Sequence, residues 1–278
     1  MTDIASILKR AVAEDAGGLD RIDAEFLLAH CLDKPRSWLY AHADQVLDAR
    51  RRNDFEVLVQ RRKRGEPVAY ITGRRAFWSM DLNVTPDTLI PRPETELLVE
   101  LALSRVHPES RAEILDLGTG SGAVALAIAV ERPACRITAV DASAAALAVA
   151  AANAGQLKLR NVVLEHGDWY SHLDTRRFGI IVSNPPYIES SDAHLVIGDL
   201  RFEPHSALVS GPDGLDDIRA IIAGAHRHLL PGGWLLVEHG CHQGASVRAL
   251  FAQSHFGDIS TVHDLENRDR VTIGRIAG

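Results

Sequence analysis

The regular alternation of apolar strand segments with helical segments, from residue 93 to the end, most restricts how this chain can fold. Predicted strands occupy residues 113–117, 135–140, 161–165, 178–183 and 234–238, followed by two closing strands, and helices separate most of them. Strands that alternate with helices of about 10–15 residues are typical of parallel sheets covered by helices on both faces. The pattern therefore predicts an α/β fold built on a doubly wound sheet.

The first part of the chain has a different periodicity. Apolar side chains in residues 1–73 recur every three or four positions, which predicts a small helical domain. Hydrophobicity alternates between residues 76 and 84, which indicates a β-hairpin and makes residues 74–90 a linker. Residues 91–278 then form one large domain.

Composition limits the class of protein without identifying it. The chain has 278 residues and 46% hydrophobic content, enough for a large core and a smaller domain. No run of about 18 apolar residues occurs, and Met1-Thr2-Asp3 lacks the start of a secretory signal, so we expect a cytoplasmic protein that does not associate with membranes. The three cysteines are scattered without metal-ligand spacing, and no metal site is expected.

Charge is distributed unevenly along the chain. Residues 1–75 carry 14 basic and 12 acidic side chains, whereas the whole chain has a net charge of −7. Two basic runs, Arg50 to Arg52 and Arg61 to Arg64, are interpreted either as a solvated helix face or as a docking patch for an acidic protein or RNA. A pI near 6.0 argues against a dedicated nucleic-acid binder.

A glycine-rich loop follows the first strand of the large domain and precedes a helix. Its sequence is Asp116-Leu117-Gly118-Thr119-Gly120-Ser121-Gly122. In this context the backbone N–H groups and the helix N-terminus can hold a nucleotide-like cofactor. Asp141, at the end of the next strand, could accept both ribose hydroxyls. Up to this point a nicotinamide enzyme fits equally well.

A second group of residues extends the predicted cofactor site. Asp168 and Trp169 follow another strand, where the carboxylate could reach the amino group of an adenine and the indole could cover its face. An acidic turn with a half-exposed tryptophan is the structural alternative. The candidate cofactor-binding residues are Gly118, Thr119, Gly120, Ser121, Gly122, Asp141, Asp168, Trp169 and Asn184.

The sequence Asn184-Pro185-Pro186-Tyr187 ends a buried strand and carries the predicted chemistry. The Asn184 side-chain carbonyl and the Pro185 main-chain carbonyl could each accept one N–H bond from a planar nitrogen group. Consecutive prolines remove two backbone donors and stiffen the turn, and Tyr187 could stack on the planar group. We therefore predict methyl transfer to a planar nitrogen, with Asn184, Pro185 and Tyr187 catalytic and all four residues binding substrate; an ordinary Pro-Pro turn is the alternative.

The segment Ile90-Pro91-Arg92-Pro93-Glu94-Thr95 is a secondary candidate. Alternating prolines before acidic residues are typical of a helix N-terminus. Arg92 could instead pair with the carboxylate of a methionine group, with Thr95 nearby as a second secondary site residue.

Several motifs in one order closely resemble the bacterial peptide chain release factor glutamine methyltransferases, the PrmC/HemK family. They are Glu66 to Gly73, Phe77-Trp78, Leu89 to Glu96, Asp116 to Gly122, Asn184 to Tyr187, Arg201 to Pro204, Glu238 to Gly240 and Asn267 to Val271. The resemblance implies a class I, Rossmann-like methyltransferase sheet of seven strands with the last antiparallel, and an N-terminal domain that docks the substrate.

The same resemblance implies an activity. It is transfer of a methyl group from S-adenosylmethionine, leaving S-adenosylhomocysteine, to the side-chain amide nitrogen of glutamine in the Gly-Gly-Gln motif of class 1 release factors. The family's cofactor positions fall on Gly118 to Gly122, Asp141, Trp169 and Asn184, and its glutamine-binding motif on Asn184 to Tyr187. No direct requirement for nucleic acid is expected.

Two other functions remain open from the residues alone. An adenine or cytosine amino-methyltransferase could grip the amino group of a flipped base with the same Asn184 motif. The acidic second part of the chain and the lack of a basic, aromatic-rich recognition domain disfavour it. A non-catalytic cofactor sensor or nicotinamide-binding module is the third possibility, and the intact Asn184 to Tyr187 motif argues against it.

Overall fold

The chain divides into two compact units in a computed structural model that describes residues 3–13 and 18–278. The first unit contains the chain up to Arg74 together with His194–Phe202, and the second contains Arg75–Ala193 and Glu203–Gly278. Residues 1–2 and 14–17, which belong to the predicted helical domain, lie outside the described residues.

The first unit is helical. Its helices are α1 (Ile4–Val12), α2 (Arg21–Leu32), α3 (Arg36–Ala41), α4 (Ala49–Lys63) and α5 (Val68–Thr72). Aspartate side chains accept hydrogen bonds from free N–H groups at the starts of α1, α2 and α4, as N-caps do. Leu27, Leu28 and Phe55 are buried in the core between the helices.

The segment His194–Phe202 is attached to this unit by polar contacts. Arg62 on α4 donates to Asp23 at 2.7 Å and to Asp199 at 2.8 Å. Arg201 donates to the main-chain carbonyl of Arg64 at 2.8 Å. Part of the second basic run is therefore engaged within the unit and not simply solvated.

The second unit is built on a seven-stranded sheet. A hairpin, β1 (Arg74–Phe77) and β2 (Met80–Asn83), precedes it, and the strands of the sheet are β3 (Glu113–Leu117), β4 (Arg136–Asp141), β5 (Val162–His166), β6 (Phe178–Ser183), β7 (Leu229–Glu238), β8 (Gly257–His263) and β9 (Asp269–Arg275). The strand order is β5-β4-β3-β6-β7-β9-β8. Strands β3 to β7 pair in parallel, and β9 is antiparallel to both neighbours. The predicted doubly wound sheet is confirmed, with its last strand antiparallel.

Helices cover both faces of this sheet. They are α6 (Glu96–Leu103), α7 (Ala123–Glu131), α8 (Ala144–Gln156), α9 (Asp216–His228) and α10 (Gly244–Gln253). Leu98 and Leu126 belong to the core on one face, and Ile218 and Phe251 to the core on the other. The chain winds in opposite directions from β3, so the carboxyl ends of β3, β4 and β6 form the crevice where such sheets bind ligands.

One strand boundary differs from the sequence prediction by more than one residue. Helix α9 ends at His228 and β7 begins at Leu229, whereas the predicted strand begins at residue 234. Leu230 precedes Pro231, which disfavours the helical conformation, and Gly232 adopts a positive φ of 74°. Within the described ranges, no helix is long and apolar enough to span a membrane.

Candidate active site

A cavity of about 410 Å³ opens at the carboxyl ends of β3, β4 and β6. Its volume is typical of sites for cofactors and small ligands. Sequence-predicted residues in its wall are Gly118, Thr119, Gly120, Ser121, Asp141, Asp168, Trp169, Asn184, Pro186 and Thr95. The same cavity therefore joins the glycine-rich loop to the Asn184 corner. Gly122, Pro185, Tyr187 and Arg92 are not part of the wall.

The glycine-rich loop needs its glycines for conformation and for space. Gly118, Gly120 and Gly122 have φ values of 72°, 56° and 87°, in the left-handed region that favours glycine. A Cβ on Gly122 would lie 2.9 Å from Leu126 Cδ1, so this glycine allows α7 to pack. Gly118 serves the cavity, because Trp169 Cζ3 would lie only 3.3 Å from a Cβ there.

Asp116 holds the glycine-rich loop through hydrogen bonds. Its side chain is 1% exposed and accepts from the Thr119 hydroxyl at 2.7 Å and from the Ala125 N–H at 3.2 Å. Burial raises its pKa to about 7, although these hydrogen bonds oppose the rise. Asp116 belongs to the predicted loop motif without a predicted site role, and the structure places it in the cavity wall.

Asp141 and Trp169 contact different glycines of the loop. The two Asp141 carboxylate oxygens accept from the N–H groups of Gly120 and Ser143, each at 2.8 Å. Trp169 has a φ of 47° and its ring lies against Gly118. Asp168 is exposed at the rim of the cavity. These positions offer a carboxylate and an aromatic face to a ligand held above the loop.

The Asn184 corner is fixed by the strand before it and by Thr95. Ser183, the last residue of β6, is fully buried and donates to the carbonyl of Leu117 at 2.8 Å. The Asn184 Nδ2 group donates to Thr95 Oγ1 at 3.1 Å. This leaves Asn184 Oδ1 as the acceptor that the amide can offer to a ligand in the cavity.

Pro185 and Tyr187 of this motif are not part of the cavity wall, whereas Pro186 is. Pro185 is buried, and Tyr187 packs against the core that contains α9 and α10. The main-chain carbonyl of Tyr187 accepts from Gln243 Nε2 at 3.0 Å, which holds the turn. Burial raises the pKa of the Tyr187 hydroxyl.

The secondary candidates separate in the structure. Arg92 forms an ion pair with Glu203, whose buried carboxylate also accepts from the Ile90 N–H at 3.0 Å. The Arg92 guanidinium is thus engaged by protein. Thr95, by contrast, is 3% exposed, lines the cavity and contacts Asn184.

Sequence reasoning missed part of the cavity wall. Asp87, Leu89, Ser206 and Asp217 also line it. Leu89 lies in the Leu89 to Glu96 motif. Asp87 lies before that motif, Ser206 lies in a short 3-10 helix and Asp217 lies in the first turn of α9, and none of these three belongs to a motif in the sequence. Among the described residues, no group of three or more His, Cys, Asp or Glu side chains could hold a metal ion.

Comparisons with protein families match two separate parts of the chain. The family described as "PrmC N-terminal domain" matches residues 6–73, and the family described as "Methyltransferase small domain" matches residues 94–211. The two matches fall on the helical segment and on the part of the second unit that contains the glycine-rich loop and Asn184.

Full-length relatives carry one name. The chain is 55% identical over 260 residues to the release factor glutamine methyltransferase of Xylella fastidiosa, covering 94% of each chain. It is 51% identical over 277 residues to that of Pseudomonas aeruginosa, covering 100% of each. A 16S rRNA methyltransferase of T. thermophilus, solved in complex with AdoMet and guanosine, shares the fold with a TM-score of 0.55 and 22% identity over 73% of this chain and 49% of that one.

Proposed function

We propose that this chain, which belongs to the release factor glutamine methyltransferase family, transfers a methyl group from S-adenosylmethionine to the side-chain amide nitrogen of glutamine in the Gly-Gly-Gln motif of class 1 release factors. The observation that carries the proposal is that one cavity contains both the loop residues Gly118 to Ser121 and Asn184. A methyl donor and a planar amide can meet there without crossing the protein.

The chain's own residues fit the cofactor. S-adenosylmethionine, when bound, supplies a methyl group on a positively charged sulfur. The Asp141 carboxylate retains lone pairs for ribose hydroxyls beside its two backbone bonds. Trp169 offers its ring to an adenine and Asp168 offers a carboxylate to the adenine amino group. The open space beside Gly120 allows a ligand to approach the backbone closely.

Asn184 and Pro185 hold the reacting amide. Asn184 Oδ1 and the Pro185 main-chain carbonyl each accept one N–H bond from the substrate glutamine, which fixes the nitrogen and raises its electron density as positive charge develops. An amide nitrogen is a poor nucleophile because its lone pair is delocalised, so positioning supplies most of the acceleration. The methylated nitrogen is strongly acidic and loses its proton to water without a dedicated base.

The partner and location follow from this activity. Release factors act during translation, so the enzyme works in the cytoplasm, and the helical domain over residues 1–73 docks the protein substrate. Exposed apolar side chains on this unit, Ile22, Phe26 and Tyr40, support a docking role because they are available for contact with a protein surface.

Incubation of the protein with S-adenosylmethionine and a purified release factor, followed by peptide mass spectrometry, tests the proposal. We expect a mass gain of one methyl group on the glutamine of the Gly-Gly-Gln motif and none in a release factor with that glutamine replaced by alanine. DNA and RNA are offered in parallel reactions. Methylation of a nucleic acid base and not of the release factor would refute the proposal. Calorimetry with S-adenosylmethionine and NAD in separate titrations identifies the cofactor independently.

A further inference from the structure

Glu238 is a buried carboxylate beside the candidate site that the proposed mechanism does not use. It is the last residue of β7 and is 1% exposed. Its neighbour Val237 pairs in register with Ser183 of β6. Glu238 therefore lies at the same level of the sheet as Asn184, the residue that follows Ser183. Glu238 Oε2 is fully buried, and no described residue donates to it. Such a group is costly to retain without a function.

Two hydroxyl groups and two charges face this carboxylate. The hydroxyl groups of Thr95 and Tyr187 and the charge of Arg270 stabilise the ionised form of this carboxylate, whereas the charge of Glu94 opposes ionisation. Arg270 is itself engaged by Asp264 at 3.0 Å. Burial is the largest effect and raises the pKa of Glu238 to about 7.

Thr95 connects Glu238 to Asn184. A threonine hydroxyl has one proton to donate and two lone pairs with which to accept. If its proton is directed to Glu238, the hydroxyl can only accept from Asn184. The observed bond has this sense, since Asn184 Nδ2 donates to Thr95 Oγ1 at 3.1 Å. The amide then presents Oδ1 as its free acceptor.

We propose that Glu238 is a positioning residue, which directs the Thr95 proton away from Asn184 and so keeps Asn184 Oδ1 as the acceptor for the substrate amide. The proposal rests on the glutamine methyltransferase function given above. It assigns a task to Glu238-His239-Gly240, one of the motifs that carry the family resemblance.

Loss of the acceptor at position 238 has a specific consequence. The Thr95 hydroxyl becomes free to donate to Asn184 Oδ1, and the Asn184 amide can turn over. Its Nδ2 group would then face the N–H groups of the substrate, so that two donors oppose each other and the amide nitrogen is no longer held. Cofactor binding should change little, because Glu238 does not line the cavity.

Three full-length variants test the connection: Glu238→Leu, which removes the acceptor, Thr95→Val and the double variant. Single-turnover and steady-state methylation of a release factor give kcat and KM, and calorimetry gives the Kd for S-adenosylmethionine. We expect each single variant to lower kcat by about 10- to 100-fold. In the Glu238 variant the Kd for S-adenosylmethionine should stay within about twofold of the parent value, because Glu238 is not part of the cavity wall. The double variant should be no slower than the slower single variant, because both changes break one chain of hydrogen bonds.

Thr138→Val is the matched control, because Thr138 is a buried threonine in β4 whose hydroxyl accepts from Arg176 at 2.6 Å, away from the cavity wall. It should lose stability but keep the parent kcat. Parent-like kcat in Glu238→Leu, or losses that multiply in the double variant, would overturn the inference. If Glu238→Leu does not fold, parent-like kcat in Thr95→Val has the same force. An inactive parent enzyme would instead refute the proposed function itself.

Discussion

The Asp141 carboxylate accepts a hydrogen bond from the backbone N–H of Gly120 at 2.8 Å, although the two residues are 21 positions apart. The end of β4 and the middle of the glycine-rich loop are therefore one structural unit. The residue proposed to bind the cofactor ribose also fixes the glycine-rich loop, so removal of its carboxylate should weaken cofactor binding in two ways.

We expect Asp141→Ala to raise the Kd for S-adenosylmethionine by about 10- to 100-fold, because a charged acceptor and the loop geometry are lost together. Isothermal titration calorimetry measures the change. Asp174→Asn, in an exposed turn of the same unit with a φ of 48°, is the control and should bind normally. Unchanged affinity in Asp141→Ala would remove Asp141 from the cofactor site.

Replacement of Asn184 by alanine should separate catalysis from cofactor binding. Because Asn184 Oδ1 is the proposed acceptor for the reacting amide, Asn184→Ala should lower kcat by about 100-fold or more. The Kd for S-adenosylmethionine should stay within a few-fold. Equal losses of cofactor affinity and turnover would show that Asn184 is chiefly a cofactor ligand.

The last glycine of the loop should matter for stability more than for contact with ligand. Gly122→Ala places a Cβ 2.9 Å from Leu126 at a φ of 87°, which should lower the free energy of unfolding by about 1–3 kcal/mol. Urea denaturation measures it. Gly155→Ala, in the exposed part of α8 with open space around it, is the control and should be neutral or slightly stabilising.

Glu25 should make the free energy of unfolding of the helical unit depend on pH. Burial raises the pKa of this carboxyl, but hydrogen bonds from Arg36, Tyr40 and Arg21 outweigh burial and hold the pKa at about 2, below its ordinary value of 4.5. The folded state therefore favours the ionised form. Its stabilisation is complete above about pH 4.5 and is lost as the pH falls towards 2.

Glu25→Gln removes this pH-dependent contribution. We expect the variant to be less stable than the parent by about 2–4 kcal/mol at pH 7, and the difference to shrink between pH 4.5 and 2. Urea denaturation at several pH values measures both, with the exposed Glu56→Gln as the control. A difference independent of pH across this range would contradict the assignment.

Local patterns were sufficient to predict the frame of the site. The buried strand β3, the glycines that follow it and the apolar start of α7 are adjacent in sequence, and their order predicts a strand, loop and helix. The same holds for β6 and Asn184. Since parallel strands end at one edge of the sheet, sequence alone could predict that these two motifs belong to one site.

Contacts between distant residues could not be predicted in this way. Arg92 was a candidate partner for a cofactor carboxylate, and in the structure it pairs with Glu203, 111 residues away. The hydrogen bond between Asn184 and Thr95 spans 89 residues and has no signature in either motif. Such pairings depend on how the loops above the sheet fold over one another, which periodicity does not encode.

The short insert His194–Phe202 makes the helical unit discontinuous along the chain. Arg62 and Asp199 meet only when both stretches are present. A fragment beginning at residue 75 would therefore contain His194–Phe202 without the helices that these residues contact. A fusion that replaced residues 1–74 with a domain from another methyltransferase would leave His194–Phe202 without its contacts. We therefore expect the two units to be kept together in evolution.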